Sequence, residues 1–459
     1  MELLERASQL RALDSALAQA KAGQGCVALL YGEAGIGKTS LVEYFLKENK
    51  KSWRILQGAC DSLFTPRPLG PLHHIALTTQ GSLLDLLESE SNRTAIFSAC
   101  LNELKTQKSI LVIEDVHWAD EATLDLLKYL GRRIRQTTSL MILTYRDDEI
   151  GMDHPLRFLL GDLASSGALH RIPVSSLTDE AVRELAKNKN VDSVALHRLT
   201  NGNPFFVTEV LAVESGIPET VRDAVLARAA RLSLSARAVL EAAAVIGSRV
   251  EAWLLSNIVG AESANVEECI AGGMLQSQGN YHTFRHELAR ETILESISPQ
   301  RKLALHRMTL TTLKESPETL NDLARLANHA EGTKDVSEVL EYAPAAAKQA
   351  SAAGSHREAI AFYKLALRFA DALPPAGHAQ ILEAYEVELF FAHLMAERMI
   401  VLKKAIELWH SIGDRLREGA NLERLAEAFF LLGRKNESEE TSQAAIAVLE
   451  GLPPSAELA

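Results

Sequence analysis

The sequence predicts an α/β domain built on a parallel sheet, followed by a largely α-helical region. Three observations carry that prediction. The runs "GCVALLYG", "SILVIEDVHWAD" and "SLMILTYRDD" are short, continuously apolar and closed by glycine or charge, as strands buried on both sheet faces should be. Between them lie "KTSLVEYFLKEN", "RTAIFSACLNELK" and "EATLDLLKYLGRRIR", whose apolar residues recur every three to four positions, the spacing of one helix face. After about residue 300 the strand signals vanish and a helical period of about 40 residues takes over. At 459 residues and 47% apolar composition, the chain is long enough for several cores.

The first strand runs directly into "GEAGIGKTS", which fits GxxxxGK[ST]. Gly32, Gly35 and Gly37 let the backbone wrap so that its N–H groups point at phosphates. The next helix, beginning near Lys38, adds its positive N-terminal end. Lys38 is expected to neutralise the β and γ phosphates and the Thr39 hydroxyl to hold Mg2+, and the nucleotide-contacting run extends to Ser40. Strand, loop and helix fall in the order that a P-loop requires.

The second strand, Ile110 to Ile113, ends in two acids, Glu114 and Asp115. Carboxylates at this edge would meet Mg2+ and the attacking water. Because successive strand residues face opposite sides, only one should look straight at the metal. Glu114 is assigned to Mg2+ and Asp115 to the water, with the division of roles left open. The third strand closes on Thr144, Tyr145 and Arg146. An arginine at a strand end is more often a solvated charge, although from this edge its guanidinium can reach a γ-phosphate. The implied sheet has helices on both faces.

Further along, "TDEAVRELAKN" and "VALHRLTNG" read as short amphipathic helices of a small lid, with Thr178 and Asp179 offering N-cap chemistry. Pro204 fits the first turn of the helix "PFFVTEVLAV" after an "NGN" turn. From Ile217, "PETVRDAVLARAARLSLSARAVLEAAAVIG" gives two helices, and "GGMLQSQGNYHTFRHEL" a hairpin with a Gly-Asn turn. Helices followed by such a hairpin form a winged-helix pattern. His286 starts the next helix, where an unassisted histidine usually makes a surface or interdomain hydrogen bond. His73, His74, His117 and Trp118 have no paired ligand at metal spacing and are read as structural.

The last third repeats. "GSHREAIAFYKLALRFADALPP" from Gly354 aligns with "GRKNESEETSQAAIAVLEGLPP" from Gly433, and "AERMIVLKKAIELWHSIGD" fits between. Ala366, Ala405 and Ala445 recur at steps of 39 and 40, so that paired helices can pack closely. The pattern is that of a tetratricopeptide-like solenoid, with a generic helical bundle as the alternative. A solenoid is expected to end in a polar capping helix, and the close at "LPPSAELA" leads us to expect a truncated array.

Charge and cysteine usage bound the function. A formal charge of −12 argues against a broad nucleic-acid surface, so no DNA contact is expected from this segment. Cys26, Cys60, Cys100 and Cys269 show no CxxC or metal spacing, which fits buried thiols in a reducing cytoplasm. No apolar run approaches the roughly 20 residues that cross a bilayer, so no membrane partner is expected.

Taken together, "LLERASQLRALDSALAQAKAGQG", "GEAGIGKT", "LVIEDVHWAD", "LTYR", "LTNGNPFFVTEVL" and "FRHELARETI" resemble the STAND class of signal-transducing ATPases. Within it they are most similar to the large ATP-binding LuxR-type transcriptional regulators. The resemblance spans about residues 4 to 300 and implies ATP/ADP and Mg2+ as ligands. It implies that Arg6 lies near the nucleotide, that Arg146 senses the γ-phosphate, that Pro204 contacts the adenine side, and that His286 touches the phosphates in a closed form. Glu114 departs from the aspartate that many P-loop proteins carry as first acid. In such regulators a helix-turn-helix follows the repeats, and none is expected within this segment.

The domains expected are a P-loop nucleotide-binding domain (1–177), a small helical domain (178–216), a winged helix (217–305) and a helical-repeat sensor (306–459). A metabolic P-loop enzyme would need a substrate pocket after the sheet, where this sequence places a lid, a wing and repeats. That order favours a switch in which ATP hydrolysis is slow and an inducer, small molecule or protein, acts on the repeats, with self-association in the ATP state. The alternatives are a P-loop NTPase that drives chemistry or transport, and a scaffold with a structural nucleotide.

Overall fold

The computed structural model describes residues 3–61, 66–79, 82–88, 93–165, 167–187, 189, 191–212, 220–260, 263–317, 319–450 and 452. The chain divides into two compact units, Met1–Pro317 and Glu318–Ala459.

In the first unit, α1 (Ala7–Lys21) precedes β1 (Cys26–Tyr31), α2 (Lys38–Asn49) and β2 (Arg54–Ala59). Helices α3 (Gly70–Thr79), α4 (Ser82–Glu88) and α5 (Arg93–Thr106) lead to β3 (Ser109–Glu114). Then come α6 (Glu121–Gly131), β4 (Leu140–Tyr145), α7 (Leu156–Ser165) and β5 (Leu169–Pro173). The five strands form one parallel sheet in the order β2-β3-β4-β1-β5. The central strands β1, β3 and β4 are buried along almost their whole length, which is why they read as unbroken apolar runs. Because all strands run the same way, the loops after β1, β3 and β4 emerge together at the C-terminal edge, the usual place for a ligand in such a sheet.

Three short helices follow: α8 (Asp179–Ala186), α9 (Ser193–Thr200) and α10 (Pro204–Leu211). Each has a side-chain N-cap: Thr178 accepts from Ala181 N, Asp192 from Val194 N and Ala195 N, and Asn203 from Phe205 N. Pro204 occupies the first turn of α10, where its missing N–H costs nothing.

The remainder of the unit comprises α11 (Val221–Ala230), α12 (Leu234–Ile246), β6 (Val250–Glu251), α13 (Ala252–Val259), α14 (Ser263–Ala271), β7 (Leu275–Gln278) and β8 (Tyr281–Phe284). Helices α15 (Glu287–Ser296) and α16 (Pro299–Glu315) complete it. The small sheet is antiparallel with order β6-β8-β7, and Gly279, at φ +63°, turns the β7-β8 hairpin. The expected boundary at 216/217 lies outside the described residues. The one expected at 305/306 falls inside α16, which runs unbroken to Glu315.

The second unit is helical among the described residues: α17 (Leu323–Thr333), α18 (Val336–Ala352), α19 (His356–Leu367), α20 (Pro375–Phe391), α21 (Met395–Ile412), α22 (Arg415–Leu431) and α23 (Lys435–Leu449). Consecutive helices pack on one another along the chain. Ala366, Ala405 and Ala445 are buried on α19, α21 and α23, the small contact the 39- and 40-residue steps anticipate. The turns entering these helices share a left-handed residue at the same steps: Gly354, His393 and Gly433, at φ +72°, +58° and +72°. Buried carboxylates tie successive repeats together. Glu388 accepts from Ser351 Oγ and His356 Nδ1, both at 2.7 Å, while Glu386 accepts from Arg398 Nε at 2.8 Å and Arg424 Nη1 at 3.0 Å.

Candidate functional site

The loop between β1 and α2 bends in ways that an L side chain resists. Gly32, Gly35 and Gly37 have φ +149°, +75° and +96°. A Cβ on Gly32 would lie 2.4 Å from the carbonyl oxygen of Val174, and one on Gly35 would lie 2.9 Å from the Cβ of Phe205. Gly37 is the N-cap of α2 and supplies no capping side chain, which leaves first-turn N–H groups directed outward for an anion. Lys38 folds over the loop, its Nζ donating to the carbonyls of Gly32 at 2.6 Å and Glu33 at 2.9 Å. Burial pulls its pKa below the usual lysine value, against the attraction of Asp115.

The acids stand opposite. Glu114 ends β3 fully enclosed, hydrogen-bonded by the Thr39 hydroxyl and by Gln57 Nε2 at 2.9 Å. Burial raises its pKa, and these two hydrogen bonds oppose the rise. Asp115 adopts φ +54° and donates its backbone N–H to Thr144 Oγ1 at 2.9 Å. The alternation expected of a strand therefore stops at Glu114, and both carboxylates line the same cleft. Burial, followed by the charge of Glu114, pushes Asp115 up to about 7. The Thr39 hydroxyl and Glu114 carboxylate are hard oxygen donors, a chemistry that fits Mg2+. Among the described residues no group of three or more His, Cys, Asp or Glu forms a self-sufficient metal site, so a bound Mg2+ would take the rest of its shell from phosphate and water.

Arg146 follows β4 and is buried, with Nη1 2.5 Å from Glu149 Oε1 and its guanidinium 4.5 Å from the Trp118 ring centroid. Trp118 thus lines the cleft instead of serving only the core. His117 is buried with its ring centroid 4.4 Å from that of Trp118, and burial, followed by the charge of Arg146, holds it near pKa 3.

The helices after the sheet close the other side. Asn203 Nδ2 donates to the Ala34 carbonyl at 2.8 Å, and Phe205 N to the Gly35 carbonyl at 3.2 Å, so the start of α10 grips the phosphate loop. Pro204 lies in the cleft wall between them. His286, the N-cap of α15, packs its ring 4.3 Å from that of Phe205 and faces the same cleft. Burial, with Arg285 and Arg228 nearby, brings it down to about 3, so the imidazole is neutral. The opening motif contributes two clamps. Arg6 Nη2 donates to the Ile36 carbonyl at 3.1 Å, and Glu5 accepts from Thr178 N at 3.0 Å and Thr178 Oγ1 at 2.5 Å. Arg6 thus holds the loop backbone.

These groups surround one cleft of about 1070 Å3. Gly35, Gly37, Lys38, Thr39, Ser40, Glu114, Asp115, Arg146, Pro204 and His286 all line it. Gly32 and Arg6 act from behind the loop. Gln57, Asn203 and Phe205 were not singled out from the sequence. Only "GNP" beside the phosphate loop's need for a partner could have pointed to Asn203.

The family model of the AAA ATPase domain matches residues 2–143. An uncharacterized protein of Rhizobium meliloti (strain 1021) is 25% identical over 456 residues, covering 83% of this chain and 44% of that protein. The chain therefore spans less than half the length of this curated relative. Among solved structures, a Signal Transduction ATPase with Numerous Domains (STAND) protein with a tetratricopeptide repeat sensor from Pyrococcus horikoshii matches with TM-score 0.50 and 17% identity. That match covers 95% of this chain and 76% of the other. The fold is that of a P-loop NTPase followed by a largely helical region.

Proposed function

We propose that this chain is a nucleotide-dependent signalling switch of the STAND type. In this reading it binds ATP and ADP with Mg2+, hydrolyses ATP slowly, and couples nucleotide state to an inducer, small molecule or protein, on its helical repeats. The similarity of its motifs to LuxR-type regulators supports a place in a cytoplasmic transcriptional regulator that self-associates in the ATP state.

The observation that carries the proposal is the composition of the cleft. Phosphate-loop residues, two acids and Arg146 come from the sheet, whereas Phe205 and His286 come from elements far along the chain. An enzyme that used nucleotide only as a reagent would have no need to read it with those later elements; a switch would. Lys38 neutralises the phosphates, Thr39 and Glu114 hold Mg2+, and Asp115 orients water. Arg146 contacts the γ-phosphate, while Arg6 fixes the loop, Pro204 packs at the adenine side, and His286 donates to a phosphate when the later elements close. Segment 178–216 acts as the lid, 217–305 as a winged helix and 306–459 as the sensor.

The test is to extract and identify nucleotide from purified protein and titrate it with ATP and ADP in Mg2+. Retained ADP, or saturable binding of both nucleotides, is expected. Protein that carries no nucleotide and binds neither would contradict the proposal.

A further inference from the structure

Glu149 lies three residues beyond Arg146 and has no role in the scheme above. It is 37% exposed, whereas the Arg146 side chain it holds is 7% exposed, and Nη1 and Oε1 are 2.5 Å apart. Asp115 and Glu291 also act electrostatically on Arg146, but Glu149 is its side-chain hydrogen-bond partner. Trp118 fixes the guanidinium plane from one face at 4.5 Å. The second Glu149 oxygen lies 3.5 Å from His117 Nε2, and that nitrogen is buried without a hydrogen-bond partner. In the tautomer that carries its proton on Nε2, His117 would offer a donor to a carboxylate released by Arg146.

From this arrangement we infer that Glu149 is a specificity-determining residue: it competes with the γ-phosphate for Arg146 and so sets how strongly the site prefers triphosphate over diphosphate. The inference rests on the proposed reading that Arg146 contacts the γ-phosphate. Two anions cannot both take the same guanidinium edge at full strength. A triphosphate must displace or share Arg146 with Glu149, whereas a diphosphate leaves the pair intact. Part of the γ-phosphate's binding energy is thereby offset, and ATP and ADP affinities are drawn closer together. Such a restraint suits a switch that must exchange between both states.

The experiment measures affinities for ADP and for the non-hydrolysable β,γ-imido analogue of ATP, both with Mg2+, by isothermal titration calorimetry. Glu149→Gln should raise the analogue-over-ADP affinity ratio by about 3- to 10-fold, the scale of a partly exposed charged pair. Glu149→Asp, which keeps the charge, should stay nearer the wild-type ratio, and in an Arg146→Ala background Glu149→Gln should change nothing. A merely structural role for Glu149 would move both affinities together and leave the ratio fixed. If Arg146→Ala lowers the ratio but Glu149→Gln leaves it unchanged, the inference about Glu149 is overturned while the reading of Arg146 stands. A ratio insensitive to Arg146→Ala removes that reading and the inference together.

Discussion

The site depends on a few side chains that are enclosed but not apolar. Lys38→Ala removes the ammonium that caps the phosphate loop, and no other loop side chain carries a positive charge. ATP affinity should fall by at least 10-fold, since a charge-assisted contact is worth about 1.5 to 3 kcal/mol, while the fold should persist. Titration and thermal melting together check this; undiminished ATP affinity would remove Lys38 from the site. Asp115 offers a pH test. Its folded value of about 7 lies above the ordinary carboxylate range, so between about pH 4 and 7 the folded chain holds a proton that the unfolded chain has lost. Stability should therefore fall across that window as pH rises, and Asp115→Asn should flatten the dependence. Parallel stability profiles for wild type and variant would show that Asp115 is not held this way. The phosphate loop and the acid pair were legible because their spacing is local. Gln57, Asn203 and Phe205 were not, because each acts across the fold on a backbone or side chain more than 50 residues away.

At the scale of elements, legibility followed burial. Strands β1, β3 and β4 are central and announce themselves as apolar runs. Strands β2 and β5 lie at the sheet edges, and "RILQGA" and "LHRIP" mix polar with apolar residues because only part of each strand is covered. The repeat array shows the same limit. Gly354 and Gly433 mark their turns in the sequence, but the middle turn carries His393 in the same left-handed conformation, which glycine adopts without strain. His393→Gly should accordingly stabilise the second unit by about 0.5 to 1 kcal/mol, the relief of a left-handed non-glycine residue less the added chain entropy. Chemical denaturation monitors this directly. A loss of stability would mean that the His393 side chain contributes more than its backbone costs.

For the whole molecule, the proposed switch requires elements that follow the sheet to read a nucleotide held at its edge. His286 is the decisive group, because it comes from the start of α15 yet faces the cleft against Phe205, whose backbone N–H holds the phosphate loop. Pro204→Ala should loosen the same clamp more weakly, since only packing is lost. A hydrogen bond from an imidazole to a phosphate is charge-assisted through its acceptor and worth about 1.5 to 3 kcal/mol, so losing it should shift a closed-to-open equilibrium by roughly 10- to 150-fold. The most direct measurement is the rate of ADP dissociation from wild type and His286→Ala, followed with a fluorescent ADP analogue chased by unlabelled nucleotide. Release is expected to be at least about 10-fold faster from the variant, accompanied by a larger hydrodynamic radius or self-association. Equal dissociation rates and equal solution sizes would contradict it, and nucleotide binding would then be confined to the sheet and its phosphate loop.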